Sequence, residues 1–338
     1  CWRSTVVALL RCVRSINVEN RKRAIVTGAA GFIGGHLLER LISLGWDVAG
    51  VDDMSAGHPE LLPNPVRSLI GTADFASANV LNAVGHVDVV FHLAAVPRVS
   101  YSVEHPLETH RTNYDKTIAL IDSIRLAHRR PRIVMASSSS VYGDGVPLPT
   151  AEESACLFAQ LSPYAMQKLQ CEMALRMYWQ LYGVDSVALR FFNVFGPRQL
   201  GSSPYAQAIA AWLTAYHEGR NLRSDGDGEQ QRDMCYVSNV VDACIAAALA
   251  PDKLCAKALN VGCGQRVSNN AILAFLGERL GSLTVERAPV RPGDVRITHA
   301  DISAARSVIG YVPTVDIWDG IARTMAWYAD HYACGGVG

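Results

Sequence analysis

Residues 24–34 read AIVTGAAGFIG. The opening AIVTG (24–28) is a short apolar run of the kind a buried strand shows. Ile33–Leu44 then places Ile33, Leu37, Leu38 and Leu41 on one helical face. Between strand and helix stand Gly28, Gly31 and Gly34, spaced G-x-x-G-x-x-G. Glycines so placed let the backbone turn tightly and approach a pyrophosphate, and the helix N-terminus then faces the phosphates. A second strand, DVAGVD (47–52), ends on Asp52, followed by Asp53 and Met54 and not by arginine. A carboxylate there is placed to accept from both adenosine ribose hydroxyls and repels a 2′-phosphate. The pattern predicts a dinucleotide site that favours NAD over NADP. The alternative is a glycine-rich structural turn with a surface aspartate.

Outward from this unit the chain alternates strand and helix. VDVVFHLAA (87–95), RIVMASSS (132–139) and SVALRFFNV (186–194) are near-continuous apolar strands, as expected where helices cover both faces of a parallel sheet. A long helix is predicted from Ser162–Pro163, serine as N-cap and proline in the first turn, to Tyr182, stopped by Gly183. Beyond Gly196 come loops, a helix (205–217), a Gly/Asp-rich turn (225–233), a strand-helix pair (234–250) and a strand, ALNVG (258–262), returning to the main sheet. The fold class is α/β, a doubly wound parallel sheet of the Rossmann type with a smaller C-terminal substrate-binding lobe. The expected boundaries are a poorly ordered leader (1–20), a nucleotide domain (21–194, rejoined by 234–264) and a substrate lobe (195–233 and 265–331).

Bulk properties narrow the function classes. Lys plus Arg and Asp plus Glu number 31 each among 338 residues, so no general basic field points to nucleic acid or an anionic membrane. A phosphate-bearing ligand must be held by a few placed groups. The nine cysteines are odd in number and include no C-x-x-C pair, against a disulfide framework or a zinc site; most are read as small buried hydrophobes in a reducing compartment. No metal is expected. No apolar run approaches the roughly 20 residues of a membrane span, and the expected location is cytoplasmic. Residues 1–20 carry Arg3, Arg11 and Arg14 with no acid before Glu19, leaving a transit peptide as the alternative to a disordered or helical leader.

Tyr164 and Lys168 stand at (i, i+4) on the long helix, so both side chains emerge on one face. A tyrosine with a pKa near 10 is a poor base at neutral pH. A nearby ammonium and a positive nicotinamide ring would stabilise its phenolate. A serine cluster, 137–140, ends the strand before this helix and could relay a substrate hydroxyl proton.

These motifs together, TGAAGFIG (27–34), HLAA (92–95), SSSSVYGD (137–144), SPYAMQK (162–168), RFFNVFGPRQ (190–199) and RPGDVRITHAD (291–301), resemble the extended short-chain dehydrogenase/reductases, the NAD-dependent epimerase/dehydratase family. Within it the chain resembles bacterial UDP-N-acetylglucosamine 4-epimerases. The resemblance covers about residues 23–330. It implies Ser138 as the catalytic hydroxyl, with Ser139 and Ser140 lining the sugar pocket, Tyr164 as general base and Lys168 as its partner on the nicotinamide ribose. It implies NAD contacts from Phe32, Ile33, Asp52, the turn Asp53-Met54-Ser55-Ala56-Gly57, Leu93, Ala94, Ala95, Asn113 and Phe192. Substrate contacts would come from Asn193, from Arg232 and Arg291 on a UDP diphosphate, from Asp294 on the uridine ribose and from Thr298. For Arg232 and Arg291 the competing reading is surface solvation. The chain departs from the family at GTADF (71–75), where either Thr72 or Asp74 fills the adenine-binding aspartate's place. It departs again at Lys116, where the family has a glycine.

The family diverges after a shared C4 oxidation. Dehydratases and decarboxylases of this type carry acids after the catalytic hydroxyl; Ser139 and Ser140 cannot act as acids, which leaves epimerisation. UDP-glucuronate 4-epimerases carry Thr in place of Asn193 and Arg in place of Leu200, and an apolar Leu200 offers a carboxylate no partner. Thr298 implies room for an acetamide that its hydroxyl could accept from or donate to, unless other walls decide specificity. The expected reaction interconverts UDP-N-acetylglucosamine and UDP-N-acetylgalactosamine, with UDP-glucose and then UDP-glucuronate as alternative substrates. A one-way dehydrogenase or reductase and an NAD-sensing regulator stay open as other classes. A homodimer is implied by the resemblance alone.

Overall fold

A computed structural model describes residues 21–76, 86–155, 159–202, 206–290 and 295–335. The leader 1–20 lies outside the described residues, as do Arg291 and Asp294.

β1 (Arg23–Thr27) runs through the glycine turn into α1 (Phe32–Ser43) and β2 (Asp47–Asp52). Next come β3 (Ile70–Thr72), β4 (Val89–His92), α2 (Val99–Glu104), α3 (Pro106–His110), a π-helical turn (Arg111–Asp115) and α4 (Lys116–Leu126). β5 (Arg132–Ser138), α5 (Pro163–Tyr182) and β6 (Ser186–Phe191) continue the alternation. β7 (Val194–Phe195), α6 (Ala208–His217), β8 (Leu222–Asp225), β9 (Gln231–Arg232) and β10 (Cys235–Tyr236) lead to α7 (Val237–Leu249) and β11 (Lys257–Val261). The chain ends through β12 (Val267–Ser268), α8 (Asn269–Leu280), β13 (Val285–Ala288), α9 (Ser303–Ile309) and α10 (Ile317–Ala333).

Seven strands form one sheet in the order β11-β6-β5-β4-β1-β2-β3. The pairings from β5 through β4, β1 and β2 to β3 are parallel. The order reverses between β1 and β4, and open α/β sheets bind ligands at the carboxyl edge of such a switch point. Every residue of β4 and β6 is buried, as their unbroken apolar runs require. Ile25, Val90, Ile133 and Ala188 from the strands pack with Ile121, Ile124 and Leu175 from α4 and α5.

Two sequence expectations about strand length need correction. β4 stops at His92, because Leu93–Ala95 leave the ladder as a loop, and β6 stops at Phe191, because Val194 and Phe195 pair instead with Cys235 and Tyr236. α6 starts at Ala208; position 205, where the sequence pattern begins it, lies outside the described residues. α5 spans Pro163–Tyr182 as the proline and glycine signals predict, and Gly183 follows at φ +67°.

The described residues divide into two compact units: those within 21–138, 163–190 and 241–259 in the first, and those within 139–162, 191–240 and 260–335 in the second. Residues 139–155, 159–162, 191–194, 234–240 and 260–264, assigned to the nucleotide domain on sequence, cluster with the second unit. In the first unit, Arg132 donates to Asp185 (2.7 Å) and to the carbonyls of Ala247 and Ala250 (3.0 and 2.7 Å), tying down the C-terminus of α7. In the second, Trp212, Tyr311 and Tyr328 are among the largest fully buried side chains.

Of the described cysteines, Cys171, Cys235 and Cys244 are buried, Cys255 and Cys263 partly so, and Cys334 is exposed; all six are free thiols. Three of these six are thus fully buried, and Cys1, Cys12 and Cys156 lie outside the described residues. Among the described residues no cluster of metal-ligating side chains occurs and no helix is long and apolar enough to cross a membrane.

Candidate active site

The glycine turn has the shape its sequence demands. Gly28 adopts φ +68°, and a Cβ on it would lie 2.8 Å from the Ala94 nitrogen. A Cβ on Gly34 would lie 2.0 Å from the Gly28 carbonyl oxygen, so α1 packs on β1 only because that atom is missing. Gly31 caps α1 without a side-chain hydrogen bond, leaving the first backbone N–H groups of a 12-residue helix for an anion.

Asp52 ends β2 half-buried. One carboxylate oxygen accepts the Ala30 N–H and the other the Met54 N–H, both at 2.9 Å. Each oxygen keeps a lone pair, as two ribose hydroxyls require. Burial raises its pKa, against the lowering effect of those two hydrogen bonds. The turn that follows is braced by Asp53, which accepts from the Ser55 N–H (3.0 Å) and hydroxyl (2.5 Å), while Met54 takes a left-handed φ of +61°. Glycine cradle, open helix terminus and half-used carboxylate fit NAD.

Lys116, which departs from the family's glycine, lies 3.0 Å from Asp74 and 3.9 Å from Asp53. Phe75 is buried with its ring 4.9 Å from that of His92, whereas Thr72 is exposed and pairs with Asp52 in the β2–β3 ladder.

The loop Leu93–Ala95 is half-buried and held by groups the sequence reading did not single out. Thr117 donates its only hydroxyl proton to the Asn113 carbonyl (2.7 Å), so at 2.9 Å it must accept from His92 Nε2–H. His92 Nδ1 is then an acceptor for the Thr27 hydroxyl at 2.8 Å, and the Thr27 oxygen accepts the Ala94 N–H at 3.2 Å. Burial holds His92 neutral, its pKa down to about 3, with Lys168 adding to the shift. Asn113 accepts the Val96 N–H (2.7 Å) and donates to the Val96 carbonyl (3.2 Å) and to Gln167 (2.9 Å). It is fully buried, so its side chain shapes this loop from behind.

Ser138, Tyr164 and Lys168 meet in the first unit. The Ser138 hydroxyl hydrogen-bonds the Tyr164 phenol. Lys168 Nζ lies 5.9 Å from the centre of the Tyr164 ring and donates to the Ala136 carbonyl at 2.9 Å. Burial pushes the phenol up to about 12, with the Ser138 hydrogen bond acting against it, and burial lowers Lys168. In the protein alone the site thus favours neutral phenol, and a phenolate needs added positive charge. Glu172, one turn beyond Lys168, forms a buried fork-to-fork pair with Arg190 (3.0 and 2.7 Å). The spacing Tyr164, Lys168, Glu172 was the available signal for it.

In the second unit, Ser139 and Ser140 are half-buried in a short 3-10 turn. Phe192 is buried, its ring 6.2 Å from Tyr142. Asn193 Nδ2 donates to Thr298 Oγ1 (3.1 Å) and to the Asp233 carbonyl (3.2 Å), and the Asp233 N–H also donates to Thr298 Oγ1 (3.1 Å). The Thr298 oxygen is therefore filled as an acceptor, a correction to the expectation that it could accept from a ligand; only donation is left. Buried Asp233 accepts the N–H groups of Cys263 (2.7 Å), Gly264 (3.0 Å) and Ala300 (3.0 Å). Arg232 is half-buried and donates to the carbonyls of Gln231 and Arg296.

Residues 24–262 match the family model described as NAD dependent epimerase/dehydratase family. A UDP-glucose 4-epimerase of Mycolicibacterium smegmatis is 35% identical over 90% of this chain and 98% of its own length. A UDP-N-acetylglucosamine 4-epimerase from Methanobrevibacter ruminantium, solved with UDP-N-acetylmuramic acid, superposes with TM-score 0.85 at 34% identity, covering 92% of this chain and 99% of that one. A UDP-glucuronic acid 4-epimerase from Bacillus cereus, solved with UDP-glucuronic acid and NAD, gives TM-score 0.82 at 29% identity over 92% of this chain and all of the other.

Proposed function

The chain belongs to the NAD dependent epimerase/dehydratase family, and from that membership we propose that it is a 4-epimerase interconverting UDP-N-acetylglucosamine and UDP-N-acetylgalactosamine. The observation that carries the reaction type is the pair Ser139-Ser140 directly after Ser138. Neither hydroxyl is acidic enough to protonate a departing group, so the positions that follow Ser138 offer a C4 ketone no acid to drive elimination.

In this reading Tyr164 removes the C4 hydroxyl proton with Ser138 bridging the two oxygens, and Lys168 supports the phenolate. When bound, NAD would supply the hydride chemistry at C4, in both directions. Asp52 would hold the adenosine ribose, the Gly28–Gly34 turn and α1 would hold the pyrophosphate, and Asp74, braced by Lys116, would serve the adenine in preference to Thr72. Arg232 and Arg291 grip the diphosphate while the 4-keto sugar turns its other face to Tyr164, and Asp294 binds the uridine ribose.

Support for an N-acetylated sugar comes from Thr298, small where a bulky residue would exclude an acetamide, and from Asn193, whose amide it orients. A glucose substrate is the second reading, favoured by the 35% identity to a relative named for UDP-glucose. A homodimer is part of the proposal. Met166, Met173, Met177 and Leu181 are exposed in a row along α5, an apolar stripe at helical spacing. Sedimentation of the wild type and of Met173→Lys/Met177→Lys tests it.

Proton NMR of the purified protein with UDP-N-acetylglucosamine, UDP-glucose and UDP-glucuronate in turn, with no NAD added, tests the function. The appearance of the C4 epimer from the first substrate is expected. Turnover only of UDP-glucose moves the substrate to the second reading, and a requirement for stoichiometric NAD replaces epimerisation by net oxidation.

A further inference from the structure

Three consecutive residues at the carboxyl end of β5 are each gripped by α5. Ser138 hydrogen-bonds Tyr164, the Ala136 carbonyl accepts from Lys168 Nζ at 2.9 Å, and the Ser137 hydroxyl donates to Glu172 Oε1 at 2.5 Å. The helix residues lie one turn apart, on one face. Glu172 is completed from β6, the neighbouring strand: Arg190 Nε donates to Oε1 (3.0 Å) and a terminal nitrogen to Oε2 (2.7 Å). Lys168, Glu172 and Arg190 are 4%, 9% and 5% exposed, so these charges sit away from water.

Packing alone does not call for such a pair, since well-fitted apolar side chains serve a buried contact equally well or better. A guanidinium fork adds a fixed carboxylate plane, and the third hydrogen bond adds a fixed Ser137. We propose that the Glu172–Arg190 pair is a positioning device for the Ser138–Tyr164–Lys168 set, locking the register of α5 on β5 and placing a compensated carboxylate one turn from the Lys168 ammonium. The proposal rests on the reading that those three residues carry the chemistry.

The charged and titratable surroundings of Lys168 are few. Its own helix supplies Tyr164, Cys171 and Glu172, β4 supplies His92, which is neutral, and β6 supplies Arg190 through Glu172. From β5 come a carbonyl and hydroxyls. Removing the Glu172 charge alone leaves the Arg190 cation uncompensated. Extra positive charge makes both Tyr164 and Lys168 lose protons more readily, so both transitions move to lower pH.

The test uses the NAD-loaded protein. Ultraviolet phenolate titration of each variant, less that of the same variant carrying Tyr164→Phe, isolates Tyr164. Glu172→Gln keeps the acceptor for Ser137 and is expected to lower the Tyr164 transition by about one pH unit. The double variant Glu172→Gln/Arg190→Gln, with neither charge, is expected to return it to the wild-type position. The kcat/KM profile on the UDP-sugar should move with it. An unmoved transition in Glu172→Gln, or one equally displaced in the double variant, overturns the charge role. Ser137→Ala leaves both charges and removes only the hydrogen bond. It is expected to lower kcat on the order of fivefold at unchanged KM and to leave the titration alone; wild-type kcat there overturns the register role, whether or not the Glu172 variants fold. The phenolate titration needs no sugar, so a shifted transition in a protein inactive on UDP-sugars would sink the assigned reaction and spare the pair.

Discussion

The Thr298 hydroxyl oxygen accepts the Asn193 side-chain amide at 3.1 Å, across 105 residues of sequence, and takes the Asp233 N–H at the same distance. The second Asn193 N–H goes to the Asp233 carbonyl, so this network assigns the amide's orientation and leaves Oδ1 as its acceptor for other groups. Thr298 thus sets the polarity that its neighbour offers and keeps its own hydroxyl proton for donation.

Thr298→Ser should therefore behave like the wild type, whereas Thr298→Val leaves two N–H donors without their acceptor. A loss of about 1–3 kcal/mol is the usual consequence of such unpaired groups. Thr298→Tyr should disfavour UDP-N-acetylglucosamine relative to UDP-glucose by roughly 10–100-fold, as overpacking a tight site costs about 1–3 kcal/mol. The kcat/KM ratio for the two sugars in all three variants checks this. An unchanged ratio in the tyrosine variant removes Thr298 as a determinant.

Tyr164→Phe should keep the fold and bound NAD and lose on the order of 10²–10⁴-fold in turnover, the usual cost of deleting a general base. Near-wild-type turnover would put the base elsewhere. The phenol's pKa of about 12 in the protein alone adds a condition: its apparent value should be lower with NAD bound, the nicotinamide charge favouring phenolate. Tyrosinate absorbance with and without NAD measures the difference.

Asp52→Ala should weaken NAD binding and relax discrimination against NADP. It removes the acceptor for ribose hydroxyls and the charge that repels a 2′-phosphate, while freeing the Ala30 and Met54 N–H groups that it now holds. Fluorescence titration with both dinucleotides decides; tighter NADP than NAD binding in the wild type refutes the assignment.

His92 should make stability depend on pH below neutrality. Its folded pKa of about 3 lies below the ordinary 6.5, so between those values the unfolded chain binds the extra proton and stability falls as pH falls. Between about pH 6.5 and 4.5 this amounts to roughly 2–3 kcal/mol. Urea unfolding at the two pH values should show a smaller loss in His92→Gln than in the wild type. Equal losses would mean that His92 is not the group responsible.

The sequence by itself determined the parts of this protein that depend on neighbours along the chain. Gly28 and Gly34 are legible because a left-handed turn and a close helix–strand approach each demand a missing Cβ. Asp52 is legible as the last residue of its strand, and Tyr164 with Lys168 as one helical turn. α5 began and ended where Pro163 and Gly183 said it would, since capping is chemistry local to a helix end. Glu172 shared that helical spacing, but its partner Arg190 came from another strand, and nothing local distinguishes a buried arginine from a solvated one. The same holds for Asp233, whose three N–H donors lie about thirty to seventy residues away, and for Arg132, which caps a helix more than a hundred residues on. Periodicity and capping are short-range and repeat in any protein. Which buried polar group meets which is decided only when the sheet order brings strands 4, 5 and 6 side by side and desolvation makes every unpaired donor costly.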